Sequence, residues 1–210
     1  MDARLLQLAD SAFPAGSFAH SAGFEALRQL GLLRGEDALV LRLEELVWHA
    51  ASSALPFLND AFSVDAVRAD EAVDVFLSSH VANRASRAQG QAFLMASEAT
   101  FALDGLRTTL PYAHLAVAMG FTLQRAGFSL DDARQLHLFG VCRSALSAAV
   151  RLGVTGPLRA QRLLLALHPV MEAALRETSA MGATDATSTA QMLDLTQAVH
   201  DRLYSRLFQS

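Results

Sequence analysis

The sequence predicts an all-α fold, a single multi-helix orthogonal bundle with a C-terminal tail. Three observations carry this. Alanine and leucine dominate a chain of 210 residues that is 52% hydrophobic, and both are strong helix formers. Isoleucine is absent, there are only two tyrosines, and β-branched residues form no alternating runs, which disfavours sheets. Apolar residues recur at helical spacing instead, as at Leu39, Leu43, Leu46 and Val47 with Arg42, Glu44 and Glu45 between them. The length suffices for one domain with a full core.

A short apolar helix is expected at Ala3–Ala9. Residues 10–25, DSAFPAGSFAHSAGFE, read as a turn packed under other elements, because Phe13, Phe18 and Phe24 are unusual in a solvent-facing loop. Pro14 fixes φ and Gly16 admits a backbone closed to other residues. Ser17 or Ser21 is placed to cap the helix expected at 21–30, and Glu25 lies near enough to that N-terminus to favour its dipole. Further helices are expected at 36–54, ended or kinked by Leu55-Pro56, and at 57–67, where Asp60 sits in an apolar sequence and needs donors. Residues 70–101 read as one long helix or two stacked ones, with Gly90 allowing a close approach by a neighbour. A buried-looking helix follows at 111–125. Ser129 with Asp131 and Asp132 opens the next helix, which runs to Val150 or Leu152. Gly156-Pro157 interrupts, and 158–177 is helical with Pro169 inside it.

Residues 178–190, rich in small and polar side chains, read as a flexible linker or surface loop. The chain is amphipathic again at 192–199. This divides it into a body at 1–177, a flexible loop at 178–190, and a C-terminal helix with a partner-binding tail at 191–210.

Composition excludes several function classes. The net charge of −4 argues against general nucleic-acid binding, which needs a basic face. All 17 basic residues are arginine, and no function attaches to that bias alone. The longest charge-free stretch, 108–124, contains Pro111, Tyr112 and His114 and reads as a buried helix rather than a membrane span. No signal peptide is evident, so a soluble cytoplasmic protein is expected.

No catalytic constellation stands out. The seven histidines show no HxxxH or HExxH spacing, Cys142 is the only cysteine, and there is no GxSxG elbow, Walker loop or GxGxxG. Neither a metal site within one chain nor a cofactor is expected. The tail is more informative. Leu203, Tyr204, Leu207 and Phe208 alternate with Arg202 and Arg206, and aromatics with arginine are common interface anchors. Such a tail docks on its own body or on another protein.

Several segments together resemble the urease accessory protein UreF family. The opening D-S-x-x-P-x-G-S-F-x-H-S-x-G-x-E order runs from Asp10 to Glu25. Arg84, Ser86 and Gly90 are similar to an R-x-S-x-x-x-G stretch, and His114, Val117 and Gly120 to an H-x-x-V-x-x-G segment. Ala149-Val150-Arg151-Leu152 resembles an A-V-R-L block, with Gln161-Arg162 following. The ending from Leu193-Asp194 through His200 to Tyr204-Ser205-Arg206-Leu207-Phe208 resembles the family's H-x-x-x-Y-S-R-L-F-R-S terminus. Gln209 stands where the family commonly has Arg, Asp201 where it has Glu, and Gly156-Pro157 replaces an L-G-Q run.

The resemblance implies an all-α, non-enzymatic accessory protein that acts in nickel insertion into urease. It implies binding to UreD (also called UreH), recruitment of the GTPase UreG to the urease apoprotein, and a homodimer. It makes His200, Arg202, Leu203, Tyr204, Arg206, Leu207 and Phe208 the expected partner-binding residues. Asp10, Ser11, His20 and Glu25 become candidates for assembly or for lining a nickel passage. Two alternatives remain: a regulator of GTP hydrolysis by UreG acting through an exposed arginine, and a carrier of a small apolar ligand, suggested by the 111–125 segment.

Overall fold

The structure, a computed structural model, describes residues 2–210, with Ser17 described by its backbone only. The Ser17 side chain, one of the two expected caps, therefore lies outside the described residues. Helices make up the fold, and there is no strand among the described residues. Helix α1 spans Ala3–Ala9, α2 Phe24–Gln29, α3 Gly35–Ser53 and α4 Leu55–Ser63. Then come α5 at Ala66–Phe76, α6 at His80–Phe101, α7 at Leu106–Thr109 and α8 at Leu115–Arg125. Helices α9, Leu130–Arg151, α10, Pro157–Glu177, and α11, Gln191–Ala198, complete the set. A last 3-10 turn at His200–Arg202 leads into the tail.

Local chemistry explains where the helices break. The helix expected at 57–67 ends at Ser63, because Asp65 turns its carboxylate onto the Val67 and Arg68 amides and starts α5. Residues 70–101 form two helices rather than one, with the Ser79 hydroxyl accepting from the Ala82 amide at the start of α6. Ser129 and Asp132 form the expected reciprocal capping box of α9.

The helix expected from residue 111 begins only at Leu115. Before it, the fully buried Asp70 carboxylate accepts the Tyr112, Ala113 and His114 amides at 2.7, 2.8 and 2.8 Å. Three charge-assisted bonds hold these residues in a turn and satisfy a charge that burial would otherwise penalise heavily.

The centre is α8, packed between α4 and α6, while α9 lies against α3 and α10. Two glycines permit this. A Cβ on Gly90 would stand 1.8 Å from the Ala113 carbonyl oxygen, and one on Gly120 would stand 2.5 Å from that of Leu58. His114, the residue immediately before α8, bonds Ser86 at 3.1 Å and Asp74 at 3.2 Å through its ring. The central motif residues Ser86, Gly90, His114 and Gly120 thus seat α8 in the core.

Residues between α10 and α11 run along α4 and the end of α3. Asn59 donates to the Met181 carbonyl at 2.8 Å, Asp60 accepts from the Ala183 amide at 2.9 Å, and the Thr187 amide reaches Ser52 O at 3.0 Å. Asp60 thereby has the donor that its apolar surroundings demand.

Candidate functional site

The opening segment is not uniformly packed under other elements, as the sequence led one to expect. Phe24 is fully buried and Phe13 packs against Phe93, but Phe18 is 67% exposed, and Asp10, Ser11, Pro14 and Gly16 are exposed too. The exposed half makes a turn in which Asp10 accepts from the Ala12 amide at 2.8 Å. Asp10 and Ser11 stay there, away from the other candidates. His20 and Glu25 belong to the buried half, and on that half the tail lies.

Glu25 is the hub. It sits in the first turn of α2, yet its carboxylate points at the tail. His200 Nε2 lies 3.0 Å from Oε2, the Leu207 amide donates to Oε1 at 2.6 Å, and the Phe208 amide donates to Oε2 at 3.1 Å. Both His200 and Glu25 are buried. A charge so enclosed requires several donors, and the tail supplies three.

Residues 209 and 210 extend the seam. The Gln209 amide donates to Ala19 O at 2.8 Å, and the Ser21 amide donates to Ser210 O at 2.6 Å. The Ser21 hydroxyl reaches the same oxygen at 2.9 Å, and His20 Nδ1 shares a hydrogen bond with the Ser210 hydroxyl at 2.6 Å. Ser21 therefore anchors the tail as well as accepting from the Glu25 amide at 3.4 Å. Burial first, then the proximity of His200 and Arg84, pushes the His20 imidazole below its ordinary range.

Two arginines close the site from other helices. The Arg151 guanidinium, at the end of α9, lies 4.0 Å from the Phe18 ring and 4.1 Å from the Phe208 ring. It joins the exposed aromatic of the opening loop to the buried aromatic of the tail. Arg84 on α6 meets Asp201 with N–O distances of 2.9 to 3.2 Å, and His80 and Arg206 approach the same carboxylate at 3.2 and 3.4 Å. Hydrogen bonds from Arg84, followed by those from His80, hold Asp201 below the usual carboxylate range.

The tail thus has two faces. His200, Phe208 and Ser210 are buried against the body. Tyr204 is fully exposed, Leu207 is 55% exposed, and Arg202, Ser205 and Arg206 are exposed with them. Leu203 is half-buried between the two sets. The structure brings together His20, Glu25, His200, Leu207 and Phe208 among the expected residues. Ser21, Arg84, Arg151, Asp201 and Ser210 complete the site without having been expected in it. Arg84 and Arg151 carried a signal, since both lie in motif blocks. Among the described residues no three His, Cys, Asp or Glu side chains are grouped to hold a metal ion, and no helix is long and apolar enough to cross a membrane. Cys142 is buried, which pushes its thiol up to about 12.

Comparison with known proteins matches residues 34–168 to the UreF family model. A urease accessory protein F of Oryza sativa subsp. indica is 32% identical over 215 residues, covering 96% of this chain and 82% of the relative. One of Arabidopsis thaliana is 30% identical over 217 residues, covering 97% and 90%. A urease accessory protein UreF of Trichodesmium erythraeum (strain IMS101) is 29% identical over 221 residues, covering 97% and 94%.

Proposed function

Because the chain belongs to the UreF family of urease accessory proteins, we propose that it works as a non-catalytic scaffold in the cytoplasm. In this reading it binds UreD through its tail and recruits the GTPase UreG as a homodimer. The assembly delivers nickel to the urease apoprotein.

One observation supports this most. Tyr204, Leu207, Arg202 and Arg206 form an outward face on a segment whose inner face is fixed to the body. A protruding tyrosine beside an exposed leucine and two arginines has the chemistry of an interface centre. A partner surface with an aromatic or aliphatic pocket and an acidic rim complements it. Asp10 and Ser11, exposed on the opposite half of the opening segment, are kept as candidates for assembly contacts, and His20 and Glu25 for holding the tail.

Co-purification tests the reading. Deleting residues 203–210 from the full chain is expected to leave the helical circular dichroism intact and to abolish retention of UreD. Undiminished retention overturns the tail as the anchor.

A further inference from the structure

We propose that Glu25 is the positioning residue for the tail: it sets which tail side chains face the body and which face a partner, without touching the partner itself. The inference rests on the partner-binding reading above and deepens it.

The geometry is specific to two consecutive amides. One carboxylate oxygen takes the Leu207 N–H at 2.6 Å and the other takes the Phe208 N–H at 3.1 Å. This pins the backbone where inward and outward side chains alternate. Phe208 goes in and is 5% exposed, whereas Leu207 goes out and is 55% exposed. A slip of one residue would bury Leu207 under Arg151 and turn Phe208 to solvent. The body contacts on either side of Glu25 hold the tail at its ends: Arg84 grips Asp201, and Ala19 and Ser21 pair with Gln209 and Ser210. The Gln29 side-chain amide also donates to Ser205 O at 2.8 Å and the Ser21 hydroxyl to Ser210 O at 2.9 Å, but among these side chains it is Glu25 that takes the two consecutive amides where the direction of the side chains alternates.

Charge is central to this role. A carboxylate presents only acceptors, and all three tail groups at Glu25 can donate to it. Glutamine has the same shape but replaces one oxygen with an NH2 that opposes an amide N–H. The isosteric change therefore leaves packing in place and loosens the register at Leu207 and Phe208, while Gln29, Ala19 and Ser21 still hold Ser205, Gln209 and Ser210. A tail that spends only a fraction of its time in register binds a partner with an apparent affinity reduced by that fraction. The loss then falls on association, because a partner already bound holds the same in-register tail.

The experiment uses the full chain, wild type and Glu25→Gln, with hydrogen exchange at single amides and binding kinetics against immobilised UreD. The expected result is exchange at Leu207 and Phe208 on the order of tenfold faster, unchanged exchange at Tyr112–His114, association on the order of tenfold slower, and a dissociation rate within about twofold of wild type. His200→Leu, which removes one donor from the tail side, is expected to act in the same direction and more weakly. Exchange at Leu207 and Phe208 equal to wild type in both variants overturns the proposal, as does a loss that lies wholly in the dissociation rate. If the wild-type chain fails to bind UreD while exchange responds as expected, the partner assignment fails and the anchoring by Glu25 stands.

Discussion

Glu25 and His200 are separated by 175 positions in sequence and by 3.0 Å in the fold, both out of reach of solvent. Their contact draws an early loop and a late tail into one site. It turns two unremarkable titratable residues into a pair that neither segment forms alone.

The Asp70 cradle is expected to be the most costly polar group to alter. Asp70→Asn keeps the shape but puts an amide NH2 in place of one oxygen, where it opposes one or two of the three amide donors. Unfolding in urea is expected to show a loss of about 3 kcal/mol. Asp65→Ala, which removes only the cap of α5, is expected to lose about 1 kcal/mol. Equal losses would count against the cradle.

Two glycines in long helices are expected to respond with opposite signs. Gly90→Ala forces a methyl group onto the Ala113 carbonyl and is expected to cost about 3 kcal/mol, through overpacking against backbone. Gly140, within α9, has open space where its Cβ would be. Gly140→Ala is expected to gain up to about 1 kcal/mol from helix propensity. Thermal melts of the two variants provide the comparison.

Stability is expected to fall on mild acidification. Burial pushes the His137 imidazole from 6.5 down to about 4, with Met119 Sδ its neighbour at 3.4 Å. The unfolded chain takes up this proton as pH drops through about 6.5, while the folded chain resists until about 4. The stabilisation is thus present above pH 6.5 and lost as pH falls toward 4. Between pH 7 and 5 the contribution is about 2 kcal/mol. His114 and His20, also held low by burial, act with the same sign. Urea midpoints for His137→Leu are expected to show a visibly shallower pH dependence, and a slope equal to wild type would refute the assignment.

Arg84→Ala is expected to separate global from local stability. The Arg84 side chain is half exposed, so loss of its pair with Asp201 costs at most about 1 kcal/mol overall. Limited proteolysis of the tail, however, is expected to accelerate severalfold, and 0.5 M salt is expected, on the order of screening at that strength, to reproduce part of the effect in the wild type. A large drop in the melting temperature would mean that the pair supports the core instead.

The helical class was legible because period and composition agree over long stretches. The capping box at Ser129 was legible because its whole signal lies within four residues. The start of α8 was not, since it is postponed by Asp70, a carboxylate 44 positions before His114. The break at residues 77–79 was legible only as an alternative and without a position, because Ser79 is one of many serines, and only the direction of its hydroxyl makes it a cap. At the site, the family resemblance pointed to His20 and Glu25, and residue types to the tail, but neither pointed to their mutual contacts. Sequence spacing offers no ruler for a hydrogen bond between residues 25 and 208. Arg151 shows the same limit, because its two aromatic partners lie on opposite ends of the chain.

The seam between the opening loop and the tail also bears on how the molecule is made. On the ribosome, residues 1–199 exist before any donor from the tail does, and Glu25 waits with its carboxylate in water. The stretch that closes over it begins 175 residues later in synthesis. Helices packed in the body, such as α3, α4 and α8, are synthesised before residues 200–210, and docking of those residues on Glu25 follows. A surface that includes Tyr204 and Leu207 in fixed orientation consequently exists only once residues 200–210 have been made.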